Sequence, residues 1–365
     1  MLVSPFASLP VTEGRIANVT YTGTVITGSQ LLRRKRFWFG LIVSFGFLAF
    51  FLARTNFHEI STAFEGADLL LAVAAVPLYF FGFWLRTVRW RFLLRPIADV
   101  PIRRLYPVVL IGLMTNNIAP ARVGELVRAY LLGERQSMSK TTALGTIAVD
   151  RTFDGLTLVA ILGIVTIASG ADAGVKAIGV VSALLFVAVT TALVTLALSP
   201  VRARVWVTRL LHLLPALLAA RAEGLLDAFL EGLGSIRSPW MLLQAAVASV
   251  ASWLMEATMY YIVGEAFHLN VGFDVYLLVT ASANLALSVF ASPGGIGPFE
   301  VTTREVLVYF DVAGASASAY ALALHALLLA PVIIVGLVLV WTTSLSLRDM
   351  LGQTPTVPVA TTRLE

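Results

Sequence analysis

The sequence has no cysteine and few charged residues, and both shortages restrict what the protein can be. Without cysteine, the chain of 365 residues can form no disulfide, no zinc–thiolate site and no iron–sulfur cluster. Charged residues make up only 13% of the chain and hydrophobic residues 58%, which leaves too little polar surface to cover a water-soluble globule of this size. The composition therefore predicts an integral membrane protein.

Sequence motifs of several enzyme classes are also missing. The chain contains no GxxxxGK[ST] phosphate loop and no HExxH zinc motif. We therefore expect that the protein is not an enzyme and that it binds no cofactor and no metal. The net charge of +5 could suggest a nucleic-acid partner. The arginines, however, cluster between apolar runs, where cytoplasmic loops carry them, and we therefore expect no nucleic acid as a partner.

The long apolar runs predict an all-α polytopic protein of the cytoplasmic (inner) membrane. Several runs reach the length of about 20 residues that crosses a bilayer, and they are continuous, unlike the alternating strands of a barrel. We predict about six full transmembrane helices in one domain over residues 33–348. The N-terminal tail (1–32) is expected to be disordered and the C-terminal tail (349–365) flexible, both on the cytoplasmic side.

Basic residues orient the predicted helices. The second span is predicted to end near residue 86, and arginines follow it as expected for a cytoplasmic loop. These residues are Arg86, Arg89, Arg91, Arg95, Arg103 and Arg104. A second arginine-rich segment, about 200–238, has apolar residues at helical spacing and is expected to be cytoplasmic, either lying on the inner leaflet or packing on neighbouring loops.

Two apolar stretches are interrupted by proline and glycine in similar ways. The segments NNIAPARVGELVRAYLL and NLALSVFASPGGIGPFEVTTREVLVYF each place a glycine four residues after a proline, followed by a glutamate and then by an arginine. We predict two opposed re-entrant helical hairpins, about 105–133 and 274–310, within inverted-repeat halves of about 68–169 and 239–344. Two complete crossings remain an alternative for 274–310. The predicted hairpin tips contain Pro120, Gly124, Pro293, Gly294, Gly295 and Gly297.

Ionisable residues inside the apolar stretches are candidate site residues, because burying each charge in a membrane costs about 2.5 to 3.5 kcal/mol. Arg122 and Arg128, beside a helix N-terminus, could form a fork for a phosphate. The alternative is that the charges form internal ion pairs. His325 is expected to be a packed bundle residue, with a proton relay as its alternative role. The candidates for substrate binding are Asn117, Arg122, Glu125, Arg128, Arg151, Asp154, Glu300 and Arg304, and those for proton coupling are Asp150, Asp154, Glu256 and Glu300.

At three motifs the sequence resembles the lysylphosphatidylglycerol synthase transmembrane family, also called the flippase-like domain family. The motifs are NNIAPARVGELVRAYLL, VDRTFDGLTL and SPGGIGPFE, and the likeness spans about residues 35 to 348. The second motif commonly reads Glu-Arg where this chain has Asp150 and Arg151. Only about 17 residues follow Arg348, so the resemblance implies lipid translocation and not the lipid modification of the family's synthase domain.

The residues and the resemblance together predict a flippase or scramblase that moves an anionic phospholipid or a polyprenyl-phosphate-type lipid between leaflets. Its phosphate would be held by Arg122, Arg128 and hairpin amides, with Arg151 and Arg304 along the path. The alternative is a lipid-binding subunit that serves a separate lipid-modifying enzyme or glycosyltransferase without transporting lipid. Membrane lipids are the expected partners, and association into a homo-oligomer or with such an enzyme is open.

Overall fold

The computed structural model describes residues 57–119, 123–136, 138–168, 173–198, 239–289 and 293–342, together with a few isolated positions. In these ranges all regular secondary structure is helical. Four helices are long and apolar enough to cross a membrane, Leu69–Leu94, Lys140–Ala168, Trp240–Ala266 and Gly314–Thr342. The chain is thus an all-α, multi-pass integral membrane protein. Both predicted tails, most of the first predicted span and most of the segment 200–238 lie outside the described residues.

The helices follow the apolar runs of the sequence, and several of them end within two residues of a glycine or a proline. In chain order they are α1 (Phe57–Glu65), α2 (Leu69–Ala74), α3 (Val76–Leu94), α4 (Ile102–Ile118), α5 (Gly124–Gln136), α6 (Lys140–Ala168), α7 (Ala173–Leu198), α8 (Pro239–Ala266), α9 (Phe273–Val289), α10 (Pro298–Tyr309) and α11 (Gly314–Thr342). A 3₁₀ turn, Pro293–Gly295, precedes α10.

The predicted end of the second span near residue 86 was wrong. The helix α3 continues to Leu94, because no glycine or proline interrupts the chain before Pro96. Arg86 and Arg89 therefore lie on the helix and not in a cytoplasmic loop, and their side chains are buried. The charge inside the helix bundle is larger than the sequence analysis expected.

Two pairs of short helices occupy the positions of the predicted hairpins. The first pair, α4 and α5, folds back on itself, so that Asn116 lies opposite Gly124 and Gly112 lies opposite Arg128. With 17 residues α4 is about 26 Å long, somewhat shorter than the hydrocarbon core of a bilayer. The second pair, α9 and α10, packs together in the same way around the 3₁₀ turn.

The two halves of the chain share one packing pattern. In the first half α3 packs on α4, α4 on α5 and α5 on α6, and in the second half α8 packs on α9, α9 on α10 and α10 on α11. Between the halves α3 packs on α8, α4 on α11 and α9 on α6. Exchanging the halves leaves this pattern unchanged, in agreement with a structural repeat.

The tips of the two helix pairs meet. A Cβ atom placed on Gly294 would lie 3.2 Å from the backbone carbonyl oxygen of Asn117, the last residue but one of α4. Three glycines of the second tip, Gly294, Gly295 and Gly297, have φ values of +60°, +77° and +95°. Such values favour glycine, because a Cβ atom would strain the backbone. The glycine-rich sequence therefore allows the tight turn that brings the second tip against the first.

Replacing Gly124 by alanine is expected to lower the free energy of unfolding by about 1 to 3 kcal/mol. The added methyl group would overlap the carbonyl oxygen of Gly112, and this backbone atom can move only if α4 and α5 separate. Gly155→Ala is the matched control, since nothing lies within 4 Å of its added Cβ. Chemical unfolding in detergent measures both variants, and equal destabilisation of the two would contradict the close approach of α4 and α5.

Candidate functional site

A network of buried ion pairs joins α3, α6 and α8. Its central residue is Arg89, whose side chain is fully buried. The Arg89 guanidinium donates hydrogen bonds to Asp150 Oδ1 and to Asp154 Oδ1, each at 2.8 Å. It also donates to Ser249 Oγ on α8, at 2.8 Å. One side chain thus connects three helices, two from the first half and one from the second.

The second helix of the first pair is attached to the same network. Arg128 on α5 donates to Asp150 Oδ2 at 3.4 Å, and its guanidinium carbon lies 4.2 Å from the centre of the Trp90 ring. Trp90 in turn donates its indole N–H to Thr146 Oγ1 at 3.1 Å. Arg128 is 3% exposed. A carboxylate and an aromatic ring therefore hold Arg128, which was predicted to bind a phosphate, inside the bundle.

Arg151 forms the exposed edge of the network. It pairs with Asp150 Oδ2 and Asp154 Oδ2, at 3.3 Å in both cases, and 32% of its side chain is accessible. Gly155, one turn further along α6, lines an apolar groove between α6 and α7. The other residues that line this groove are Thr152, Leu156, Val159, Leu185, Phe186 and Val189. A charged group and an apolar groove thus lie next to each other on one helix.

A second set of contacts extends the network along α8 to α9. Arg86 pairs with Glu256 at 2.6 Å, and the Glu256 carboxylate also accepts hydrogen bonds from Tyr260 (3.3 Å) and Asn284 (3.1 Å). The Arg86 guanidinium lies 4.0 Å from the ring centre of Trp253, whose indole N–H donates to Asp154 Oδ1 at 3.2 Å. Trp253 therefore links this set to the ion pairs around Arg89.

The network holds more guanidinium groups than its carboxylates fully satisfy. Arg86, Arg89, Arg128 and Arg151 face three paired acids, Asp150, Asp154 and Glu256. Buried N–H groups of all four arginines have no hydrogen-bond partner within the described ranges. An unpaired buried donor costs about 1 to 3 kcal/mol, so these groups would gain from an anionic oxygen or a water molecule.

Glu125 and Asn116 lie at the tip of the first pair. Asn116 Oδ1 accepts a hydrogen bond from the backbone N–H of Gly124 at 2.7 Å, which caps the start of α5. Its amide nitrogen donates to Glu125 Oε1 at 3.2 Å. Of the two adjacent asparagines, Asn117 was the predicted site residue, whereas Asn116 makes the side-chain contacts at this tip. Pro120 and Arg122 lie outside the described residues.

A buried carboxylate–imidazole pair joins α10 of the second helix pair to α11. Glu300 Oε1 lies 2.7 Å from His325 Nδ1, and Glu300 Oε2 accepts a hydrogen bond from the Gly297 backbone N–H at 2.7 Å. His325 Nε2 lies 2.8 Å from the carbonyl oxygen of Gly294. The Glu300 carboxylate thus pairs with a histidine of α11.

The remaining predicted residue, Arg304, belongs to the second half alone. It donates to Ser318 Oγ on α11 at 3.2 Å and pairs with Glu305. The structure therefore brings Arg128, Asp150, Arg151 and Asp154 together, while Glu256 joins them through Trp253. Glu300 and Arg304 lie at the interface of α10 and α11. In the part of the chain that the structure describes, no three His, Asp or Glu side chains are grouped so as to hold a metal ion.

Two arginines that neutralise most of the buried acids, Arg86 and Arg89, were not among the predicted site residues. Arg86 and Arg89 are three residues apart, so they share one face of a helix that has no breaker before Pro96. The acids Asp150, Asp154 and Glu256, at membrane depth, required buried cations. These two signals together could have placed both arginines inside the bundle.

Comparison with known proteins identifies relatives of this chain among membrane proteins. Glycosyltransferase AglD of Haloferax volcanii is 26% identical over 333 residues, covering 81% of this chain and 53% of that protein. The chain thus spans about half the length of this relative. Two UPF0104 membrane proteins of Methanothermobacter thermautotrophicus are 28% and 26% identical, covering 73% and 70% of this chain and 82% and 78% of their own lengths.

The family assignment rests on a match that covers most of the chain. Residues 37–336 match the family described as the lysylphosphatidylglycerol synthase TM region, and this range contains both helix pairs and the whole ion-pair network. The resemblance that the three sequence motifs indicated is thereby confirmed. The chain belongs to the lysylphosphatidylglycerol synthase transmembrane-region family.

Proposed function

We propose that this protein is not an enzyme but a lipid transporter, a flippase or scramblase, that moves an anionic phospholipid or a polyprenyl-phosphate-type lipid between the leaflets of the cytoplasmic membrane. One observation carries the proposal. The arginine-rich network is buried among membrane-crossing helices and reaches the surface at Arg151, beside an apolar groove. A cation next to a carbon-lined groove matches a molecule with an anionic head and acyl chains.

The contacts of Arg151 support a role in holding the phosphate. Its partners, Asp150 and Asp154, are shared with Arg89, so an anion could bind Arg151 without leaving either acid unpaired. Its Nε–H group is buried and has no hydrogen-bond partner among the described residues, so the accessible part of the side chain would meet the phosphate first. The acyl chains would lie along the groove between α6 and α7. Arg122, Arg128 and Arg304 remain candidates for later positions of the phosphate.

The packing pattern supports a transporter-like arrangement in the membrane. We infer that the helix pairs α4–α5 and α9–α10 are re-entrant hairpins that enter from opposite sides, with about six full spans around them and both termini in the cytoplasm. Broken helices are tolerated at membrane depth only where protein or a water-filled cavity surrounds the backbone. The contact between Asn117 and Gly294 would place both breaks inside the bundle.

Arg151→Gln is expected to slow lipid transfer about 10- to 100-fold, the equivalent of a charge-assisted hydrogen bond of roughly 1.5 to 3 kcal/mol. The protein is reconstituted into liposomes that contain a fluorescent anionic phospholipid, and a membrane-impermeant quencher reports the lipid in the outer leaflet. Arg91→Gln is the matched control, because Arg91 is similarly accessible (34%) and its ion-pair partner among the described residues is the exposed Asp99.

The same assay tests the residues chosen from the sequence motifs. Arg122→Ala and Arg128→Ala are each expected to slow transfer, and unchanged transfer in both would remove them from the site. Liposomes with wild-type protein that transfer lipid no faster than empty liposomes would contradict the transporter itself.

One observation favours a second function, lipid binding without transport. The relative from Haloferax volcanii carries the name of a glycosyltransferase, and this chain aligns with only about half of it. The chain could correspondingly serve a separate lipid-modifying enzyme. Purified protein that retains lipid and co-purifies with such an enzyme, but leaves leaflet asymmetry unchanged in liposomes, would favour this function.

A further inference from the structure

We propose that Glu300 and His325 form a proton-binding site that holds the tip of the second helix pair against the tip of the first. The proton is the ligand, and its release opens the contact between the tips. The existence of this site does not depend on transport. Its role as the point where a proton drives lipid movement rests on the proposed function.

The geometry around His325 determines how many protons the pair must hold. Both ring nitrogens lie within hydrogen-bond distance of an oxygen, Nδ1 at 2.7 Å from Glu300 Oε1 and Nε2 at 2.8 Å from the Gly294 carbonyl. The carbonyl oxygen can only accept, so Nε2 must carry a hydrogen. The contact at Nδ1 also needs a hydrogen, located either on the ring or on the carboxyl group.

The pair therefore requires two hydrogens for its two contacts. They are present when a charged imidazolium faces an ionised carboxylate, and equally when a neutral imidazole faces a carboxylic acid. Loss of one proton leaves a neutral imidazole beside a carboxylate, with a single N–H for two acceptors. One contact must then break, and either two lone pairs face each other at Glu300 or the Gly294 carbonyl loses its donor.

The other buried acids have different partners. Asp150 and Asp154 face Arg89, and Glu256 faces Arg86. An arginine guanidinium stays charged at any pH that a folded protein experiences, so these pairs cannot lose a proton from the cationic side. Histidine is the side chain that changes its charge near neutral pH. Of the candidate proton carriers, Glu300 is the one whose ion-pair partner in the described residues is a histidine.

The position of the pair connects proton binding to the tips. Gly294 is the residue against which Asn117 of the first tip packs, and its carbonyl is the oxygen that His325 holds. The other oxygen of Glu300 fixes the Gly297 backbone at the start of α10. A proton lost from the pair would therefore release the turn that contacts the first tip.

The surrounding charged groups are turned to other partners or to the outside. On α10, Arg304 contacts Ser318 and Glu305. From α8, Glu256 lies beyond Tyr260 and Phe299, and the Phe299 ring centre is 4.4 Å from the His325 ring centre. On the other helices packed against α11, Arg86 and Arg89 are paired inside the bundle. The remaining titratable side chains of α1, α3 and α4 outside the tyrosines lie at accessible or partly accessible positions, namely His58, Glu59, Glu65, Arg91, Arg103 and Arg104.

Spin labels on the two tips test the proposal directly. The chain has no cysteine, so Ile118→Cys and Ile296→Cys, both at accessible positions (55% and 42%), can be labelled without further changes. Continuous-wave EPR spectra broaden when two nitroxides are close. In the otherwise wild-type protein we expect the broadening to be present at about pH 5 and mostly lost by about pH 10, a range that spans the titration of histidine.

Two variants test whether the change in the spectra comes from the loss of a proton at Glu300 and His325. In Glu300→Gln the amide nitrogen donates to Nδ1, the amide oxygen accepts from Gly297, and Nε2–H still reaches Gly294, so both contacts persist without a removable proton. Its broadening should remain at every pH. Glu305→Gln, on the same helix but paired with Arg304, should respond to pH as the wild type does. Identical spectra for wild type and Glu300→Gln across the whole range would overturn the proposal.

The EPR measurement and the liposome assay fail in different ways. A pH-dependent change in the tips of a protein that transfers no lipid would support the proton site and contradict the transporter. If the protein transfers lipid but the EPR spectra of the wild type and of Glu300→Gln do not change with pH, the transporter is supported and the proton site is contradicted.

Discussion

Replacing Arg89 by leucine is expected to lower the free energy of unfolding by about 3 to 5 kcal/mol. The substitution removes the cation that faces both Asp150 and Asp154 at 2.8 Å and leaves the two buried carboxylates with the longer contacts to Arg128, Arg151 and the Trp253 indole. Uncompensated buried charge is among the most destabilising changes that a single mutation can introduce. Thermal unfolding of the purified protein in detergent measures the effect.

Arg91→Leu is the control for this prediction. Arg91 lies two residues further along the same helix, but it is 34% accessible and its partner Asp99 is 69% accessible. Exposed ion pairs contribute about 0 to 1 kcal/mol, so this variant should unfold nearly as the wild type does. If the two leucine variants unfold alike, Arg89 does not hold the buried acids together.

The difference between Arg89 and Arg91 shows what the sequence could and could not predict. Apolar runs, glycines and prolines act locally, so the runs at about 141–168, 175–198 and 239–266 predict three spans whose bounds lie within two residues of those of α6, α7 and α8. The side on which an arginine lies depends on the rotation of its helix, and the nearby arginines made α3 resemble a loop. A local charge pattern cannot distinguish an arginine that faces the cytoplasm from one that faces a distant acid.

The tips illustrate the same division between local and distant information. The prolines and glycines of the second tip predicted the break, and Pro298 and Glu300 do lie in the first turn of α10. His325 was expected to be a packed bundle residue or a proton relay, but its pairing with Glu300 could not be predicted, because the two residues are 25 positions apart on different helices. For Arg122 the sequence remains the only source, since this residue lies outside the described residues.

The pair Arg86 and Glu256 provides the second large effect. Arg86→Met and Glu256→Met should each lower the free energy of unfolding by about 3 to 5 kcal/mol, because each leaves the other charge buried and unpaired. The double variant should be more stable than either single variant, since two apolar side chains of similar volume often replace a buried ion pair with little loss. Tyr260 would still lose an acceptor, which costs about 1 to 3 kcal/mol.

The double variant also tests whether the pair Arg86 and Glu256 affects lipid transfer in addition to stability. If the network only fastens α3 to α8, restoring stability with two methionines should restore lipid transfer in liposomes as well. We expect transfer to stay slow instead, because Arg86 stacks on Trp253, which holds Asp154, the partner of Arg151. Loss of that contact would change the position of Arg151 beside the groove. If the effects of the two single variants on the free energy of unfolding simply add in the double variant, Arg86 and Glu256 are not coupled in the folded protein.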